Sequence, residues 1–293
     1  MEILKWSSTV MIKNSFILEN IKKQSAMNNK LIIPIFLAAV LLVASSAVTP
    51  VFSYKLLLIG DVKCTSDMAN ALKDRNPDAV VFLGDLCYGS SLSGFKSTYW
   101  NQFDSKNCVI GNHDSPEDGS SSIYSEAKKL CQETWRKKVE NKTTVIIGVN
   151  TNGNMDESGT QFQKAESWLT NSTYMKGVKN VIFVSHKPAY TNPGSHHPVS
   201  EDPEVKTFLN ALAQNVPIGI KVYYVSGHNH HMGNTADKTK FVSGAGMRSH
   251  YGCDTGGEWN FCNDTTWGYL QFRIYPDGRI VPWFYNTQGV LVK

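Results

Sequence analysis

The chain has 293 residues, with 29 Lys and Arg against 25 Asp and Glu, a formal net charge of +4, and 41% of its residues are hydrophobic. These figures exclude an intrinsically disordered chain, and 22 Gly with 11 Pro and no G-X-Y period exclude collagen-like and low-complexity architectures. The charge is too small to argue for a nucleic-acid partner.

The first segment in chain order reads as a leader. No charged residue occurs from Leu31 to Tyr54, and the run Leu31–Val43 is almost purely aliphatic. Lys22, Lys23 and Lys30 precede it, and Ala44-Ser45-Ser46-Ala47 follows it. This is the order of a secretory signal, so residues 1–47 are expected to be a signal peptide or, if retained, a membrane signal-anchor. A start at Met27 would give the short basic region of a signal peptide. In either case the lysines lie before the apolar run, and the positive-inside rule puts the remainder outside. The protein is therefore expected to be exported, secreted or anchored on the outer face of the cell membrane, touching membrane only through this segment. Residues 1–47 hold five Lys and two Glu; the remaining 24 basic and 23 acidic residues leave the exported part nearly neutral.

All six cysteines follow the apolar run. An even number outside the cytosol predicts disulfides. Cys253–Cys262 would close a Gly-rich loop, and Cys64–Cys87 would join the ends of adjacent strands. With no C-x-x-C spacing, a cysteine metal site is not expected. Asn141, Asn171 and Asn263 begin N-x-S/T triplets.

From Lys55 the pattern is strand, helix, strand. KLLLIGD and DAVVFLGD are apolar runs ending in Gly-Asp, with the amphipathic stretch SDMANALKDRN between them. CVIGNHD, TTVIIGVN, NVIFVSH and KVYYVSGHNH continue the series. Near-continuous β-branched runs separated by helical stretches predict parallel strands buried on both faces. KFVSGAG, WGYLQFRIY and GRIVPWFYN, with a Pro276-Asp277-Gly278 turn, predict antiparallel strands near the C-terminus. No internal repeat or linker interrupts residues 54–293, which are expected to form one catalytic domain.

Five of these runs end in residues able to hold metal: Asp61, Asp85, Asn112 with His113, His186, and His228 with His230. In open α/β sheets, ligands bind at the carboxyl ends of strands. One Gly-Asp after a strand is ordinary loop chemistry, whereas five such endings in one chain are not. Carboxylates, an amide oxygen and imidazoles without thiolate suit Zn, Fe or Mn. Two such ions about 3.5–4 Å apart can clamp a phosphoryl group and supply hydroxide at neutral pH.

The ordered set Asp61-Val62-Lys63, Gly84-Asp85-Leu86-Cys87-Tyr88, Gly111-Asn112-His113-Asp114, Val184-Ser185-His186 and Gly227-His228-Asn229-His230 resembles the calcineurin-like metallophosphoesterases. The tyrosine of GD-x-x-Y makes it most similar to their purple acid phosphatase branch. The resemblance covers Lys55 to Lys293. It implies an α/β fold of two packed mixed β-sheets flanked by helices, the αββα metallophosphoesterase sandwich, in a domain too small for the extra N-terminal β-domain of large purple acid phosphatases. It implies a dinuclear centre of Fe with Zn, Mn or a second Fe. Asp85 would bridge both metals, with Asp61, Tyr88 and His230 on the first and Asn112, His186 and His228 on the second. A metal-bound hydroxide would attack phosphorus. His113 would stabilise the transition state or protonate the leaving alkoxide, oriented by Asp114. His196 and His197 match histidines that the branch carries in a loop over the phosphate, whereas His231 and His250 are expected to be neighbours. The pattern's first motif carries His or Gly where this chain has Lys63, a departure that would aim the lysine away from the metals, place its charge near phosphate, or weaken metal binding.

The resulting expectation is an exported phosphatase of small phosphomonoesters. The alternatives are a phosphodiesterase or nucleotide pyrophosphatase on the same centre, and a non-catalytic metal-stabilised surface protein. Nucleic acid is not an expected partner, because the domain lacks a basic stripe. Oligomeric state is left open.

Overall fold

The computed structural model describes residues 53–89 and 91–293; the leader expected over 1–47 and the alternative start at Met27 lie outside the described residues. The first half runs β1 (Tyr54–Ile59), α1 (Ser66–Asp74), β2 (Ala79–Phe82), α2 (Ser93–Thr98), β3 (Lys106–Cys108), α3 (Ser121–Cys131), β4 (Thr134–Lys138) and β5 (Thr144–Val149). The second runs α4 (Thr160–Leu169), α5 (Ser172–Met175), β6 (Asn180–Ser185), α6 (Pro203–Gln214), β7 (Lys221–Ser226), β8 (Met232–Thr235), β9 (Lys240–Ser243), β10 (Trp259–Asn263), β11 (Gly268–Ile274) and β12 (Ile280–Asn286).

The strands form two mixed sheets, one of five strands in the order β12-β11-β1-β2-β3 and one of seven in the order β10-β8-β9-β7-β6-β5-β4. Within them β1, β2 and β3 are mutually parallel, as are β5, β6, β7 and β9. The two-residue period of a strand sorts the core into layers. Leu56 and Leu58 of β1 join Ile146, Ile182, Val184, Val225, Phe241, Leu270 and Phe272 between the sheets. Leu57 and Ile59 point the other way, onto Met68 and Leu72 of α1, Phe95 of α2 and Ile123 and Ala127 of α3. On the far side, Val145, Ile147, Val181 and Phe183 meet Phe162 and Leu169 of α4 and Val205, Phe208, Leu209 and Leu212 of α6. The order is helix, sheet, sheet, helix, as the resemblance implied. In α6 the apolar stripe at 205, 208, 209 and 212 is the helical spacing, and Pro203 occupies the first turn, where its missing N–H costs nothing.

The apolar runs mark most of the strands, with one correction. CVIGNHD was expected as a strand, but β3 covers only Lys106–Cys108 and the chain leaves the sheet over Val109–Gly111, after the Val109 amide has bonded the Phe82 carbonyl at 2.9 Å. That departure frees the following residues to fold around a buried carboxylate. β4 and β8 carry no apolar run to announce them. Their sequences are TWRKK and MGNT; β8 is held between β10 and β9, while β4 is an edge strand recruited by β5 alone. Pro282 sits in β12, an edge strand, where a missing ladder donor is tolerated.

All six cysteines are paired: Cys64–Cys87, Cys253–Cys262 and Cys108–Cys131. The first two are the expected pairs. Three disulfides argue for an oxidising, extracellular or lumenal compartment. Among the described residues no helix is long and apolar enough to cross a membrane.

Candidate metal centre

The parallel strands of both sheets deliver their C-terminal ends to one place. Asp61 follows β1, Asp85 follows β2, Asn112 follows β3, His186 follows β6, and His228 and His230 follow β7. Sharp turns aim these side chains back across the strand ends. Asp61, Asp85, Tyr88 and His228 all have positive φ, at 58°, 54°, 50° and 67°. Such conformations are unfavourable for non-glycine residues and cluster at functional sites. The glycines before them have steric reasons. A Cβ on Gly111 would collide with the Asp85 carboxylate, and Gly84, at φ +85°, would place one 2.6 Å from His186 Nδ1.

The side chains sort into two groups. In the first, the Tyr88 hydroxyl lies 3.1 Å from Asp61 Oδ1 and 3.0 Å from His230 Nε2, and His230 Nε2 lies 3.3 Å from Asp61 Oδ1. In the second, Asn112 Oδ1 lies 2.7 Å from His186 Nε2 and 3.2 Å from His228 Nδ1, and the two imidazole nitrogens are 3.2 Å apart. Asp85 stands between them. Its Oδ1 is 3.4 Å from His186 Nε2, and it also clusters with Asp61 and His230.

Outer contacts fix which atoms face inward. His186 Nδ1 bonds the Leu83 carbonyl at 2.7 Å and His230 Nδ1 the Ser249 carbonyl at 2.6 Å, so both rings turn an Nε2 lone pair to the centre. Asn112 Nδ2 donates to Asp118 Oδ2 at 2.5 Å, which leaves its Oδ1 facing the imidazoles. Each group is thus a convergence of acceptors sharing one proton, on Tyr88 in the first and on His228 in the second. Asp61 and Asp85 are 0% and 1% exposed, and among the described residues no Lys or Arg pairs with either. Burial and the charge of Asp61 push the Asp85 carboxyl up to about 7. Burial and the same two carboxylates push the Tyr88 phenol far above its ordinary range, and burial with neighbouring His186 drives the His228 imidazole well below its own. Buried acceptors and carboxylates without a counter-charge are what a cation site requires. The residues present fit two metal ions sharing Asp85.

The remaining expected site residues surround this cluster. His113 is 40% exposed by its side chain, with Nε2 3.9 Å from Asp85 Oδ2 and its ring 4.8 Å from that of Tyr88. Asp114 does not orient His113. It is buried, and its two oxygens accept the Leu86 and Gly111 amides, both at 2.9 Å. It therefore ties the Asp85 turn to the Asn112 turn. The loop after His186 packs its two histidines beside the cluster. The His197 ring lies 4.2 Å from that of His228, with Nδ1 held by Glu201 at 2.9 Å, and exposed His196 packs 4.3 Å from Tyr251. Lys63 is exposed and makes no ion pair among the described residues. Its amide bonds the Gly246 carbonyl, and its own carbonyl accepts the Tyr99 hydroxyl at 2.6 Å. Cys64 beside it is bonded to Cys87, so the disulfide staples the Asp61 loop to the loop presenting Tyr88.

Sequence reasoning missed the segment 246–251. Tyr251 stacks on His230 at 4.0 Å and Ser249 orients the same ring. The exposed Arg248 guanidinium sits 4.3 Å over the Tyr88 ring. The segment has no strand period or metal-binding motif to flag it. His231 and His250 stay outside the centre. His231 is buried, with Nε2 3.2 Å from Asn192 Oδ1, and burial pushes its pKa down to about 4. As pH falls, the unfolded chain takes up this proton near pH 6.5 and the folded chain only near 4, so stability is lost across that window. Urea unfolding at pH 7 and pH 4 should show the wild type losing about 3 kcal/mol more than His231→Asn. Equal losses would mean that His231 is charged in the folded protein.

With that geometry in place, the comparisons give the class. A family model described as calcineurin-like phosphoesterase matches residues 54–232, more than half of the chain. The chain belongs to the calcineurin-like phosphoesterase family. Its structure is similar to a purple acid phosphatase, PPD1, from yellow lupin (Lupinus luteus) seeds, with a TM-score of 0.66 and 13% identity over 83% of this chain and 53% of the lupin chain. It is also similar to GAP50, the anchor in the inner membrane complex of Plasmodium, with a TM-score of 0.57 and 15% identity over 82% of this chain and 87% of that one. This chain spans about half the length of the lupin protein, and at these identities the likeness is one of fold. Comparison with curated protein sequences gives no significant match.

Proposed function

We propose that this protein is an exported, dinuclear metal-dependent phosphatase of small phosphomonoesters. The carrying observation is the pair of buried acceptor groups that share Asp85, at the strand ends of a phosphoesterase-family fold. Asp61, Tyr88 and His230 would hold one ion and Asn112, His186 and His228 the other. Two such ions supply Lewis acidity to phosphoryl oxygens and ionise water at neutral pH. The protein's own groups do the rest. Arg248, exposed beside Tyr88, offers a free guanidinium to the phosphoryl oxygens. His196 and His197 crowd one side of the mouth and orient the phosphate or its leaving group. His113 holds a proton at Nε2 beside the centre and delivers it to the leaving oxygen, while Asp114 fixes the two turns that bring His113 and Asp85 together. The metal pair we propose is Fe with Zn, Mn or a second Fe, since oxygen and imidazole donors accept all three.

Elemental analysis of the purified protein, alongside hydrolysis of p-nitrophenyl phosphate and of its bis-ester, tests this reading. Two transition-metal ions per chain and a strong preference for the monoester are expected; preference for the bis-ester would move the assignment to a phosphodiesterase. Tyr88 adds a visible readout. Phenolate on ferric iron absorbs in the visible, so the protein should be coloured and Tyr88→Phe colourless. A colourless, fully active wild type would remove the purple branch and keep the family. Metal without hydrolysis of either ester would favour a non-catalytic surface protein.

A further inference from the structure

The face opposite the metal centre has a chemistry of its own. Because β1, β6 and β7 end at the centre and β5 runs parallel to β6, their N-terminal ends share the far face. The turn between β11 and β12 joins them there: Asn180 Nδ2 bonds the Gly278 carbonyl at 2.7 Å, Lys179 Nζ the Asp277 carbonyl at 2.7 Å, and Asn141 Nδ2 the Tyr275 carbonyl at 3.2 Å. Five lysines gather on this end of the seven-stranded sheet. Lys138 and Lys142 flank the β4–β5 turn, Lys176 and Lys179 precede β6, and Lys221 opens β7, its amide bonding the Lys179 carbonyl at 2.9 Å. Among the described residues none of the five has a carboxylate partner. The acidic groups at this end are Glu140, Asp78, which accepts the Lys55 amide, Asp237, which Thr235 and Thr239 engage, and Asp277, which Arg279 engages at 3.8 Å. Lys138, Lys142 and Arg136 line an open hollow of about 640 Å³ against a single carboxylate, Glu140, together with Asn171 and Tyr174. In a domain that is nearly neutral overall, this is a strong local concentration of positive charge.

Two further observations select what it meets. Ile218, three residues before Lys221, is fully exposed at 106% relative accessibility, in the loop that leads into β7. The chain also enters the domain on this face, at Tyr54, directly after the stretch from Leu31 that carries no charge. Lysines along one end of the sheet with a protruding aliphatic side chain in the loop beside Lys221 fit an anionic bilayer surface, which attracts the charge and accepts the isoleucine. Nucleic acid would use the lysines and leave Ile218 without a role. We infer that this face docks on anionic lipid and turns the metal centre away from the membrane. Contact with membrane would then extend beyond the N-terminal segment to the folded domain. Lysines on an edge strand also discourage sheet-to-sheet association, but that role does not extend to Lys176, Lys179, Lys221 or Ile218, which lie off the edge.

Because every native cysteine is paired, Ile218→Cys gives the full chain one thiol for an environment-sensitive dye. The labelled protein is mixed with vesicles of phosphatidylcholine alone or with added phosphatidylglycerol. The dye emission should shift to the blue only on the anionic vesicles. High salt should reverse the shift by shortening the screening length, and so should the added changes Lys142→Glu, Lys176→Glu and Lys221→Glu, all at exposed positions. Emission that is the same on both compositions overturns the inference, as does a shift that survives both salt and charge reversal. A shift with DNA or heparin but not with anionic vesicles assigns the face to a soluble polyanion instead. Unchanged metal content in the charge-reversed protein verifies its fold, and no arm depends on phosphatase activity.

Discussion

Asp85→Asn should strip both metal ions from the protein and lower phosphatase turnover by about 10³-fold or more. The expectation follows from position. Asp85 lies within reach of both acceptor groups, 3.4 Å from His186 Nε2 on one side and clustered with Asp61 and His230 on the other. Asn keeps the volume but removes the charge and turns one acceptor into a donor aimed at lone pairs. Losing charge stabilisation worth several kcal/mol costs about three decades of rate. Stability of the metal-free protein should move the opposite way. Burial and Asp61 hold the Asp85 carboxyl up at about 7. Between the ordinary carboxylate range and pH 7 the folded state thus binds a proton that the unfolded chain has released, and metal-free stability falls as pH rises through that window. Asp85→Asn removes this liability, so at pH 7 the chelated variant should melt at or above the chelated wild type. Elemental analysis, turnover and thermal unfolding with and without chelator check the three parts. A variant that keeps two ions per chain would break the bridging assignment even if activity fell.

The same residues show how far the sequence carries. The ends of parallel strands were legible because strands buried on both faces read as unbroken apolar runs. Each run stops where the chain must turn at the site, so Asp61, Asp85, His186, His228 and His230 are marked by position as well as by type. Asn112 and His113 were legible by motif although their strand ends two residues earlier than its apolar run. What makes these side chains usable as ligands was not legible. The Leu83 and Ser249 carbonyls that orient His186 and His230 belong to backbone and have no sequence signature. Asp118 fixes the Asn112 amide from an exposed loop position where any polar residue would look ordinary. The family resemblance implied that Asp114 orients His113, yet in space its oxygens close the gap between two turns. Lys63 has a comparable resolution. Its backbone is committed to Gly246 and Tyr99 and its neighbour to a disulfide, so the side chain is held out in solvent and Tyr88 faces Asp61 and His230.

His113→Ala should keep both metal ions and lose about 10²–10³-fold in turnover, within the range of general acid catalysis. Nothing in the cluster leans on this imidazole. Its Nε2 stands 3.9 Å from Asp85 Oδ2, beyond hydrogen-bond reach, and the contact that shapes the centre comes from its backbone amide, which donates to Asp85 Oδ1 at 3.1 Å and survives the substitution. The ring is also the most accessible nitrogen base beside Tyr88, where a leaving oxygen can reach it. A positioning or purely electrostatic role would slow all substrates alike. A proton donor instead matters in proportion to the basicity of the leaving group. p-Nitrophenolate leaves without help, whereas an alkoxide does not. The loss on an alkyl phosphate should therefore exceed the loss on p-nitrophenyl phosphate by tenfold or more, on the order of 1.4 kcal/mol of added barrier. Equal losses on the two substrates would assign His113 to charge stabilisation and pass the proton to His197, whose ring packs on that of His228, or to its neighbour His196 beside Tyr251. Loss of metal in His113→Ala would instead make it part of the metal shell, against the geometry that separates it from both acceptor groups.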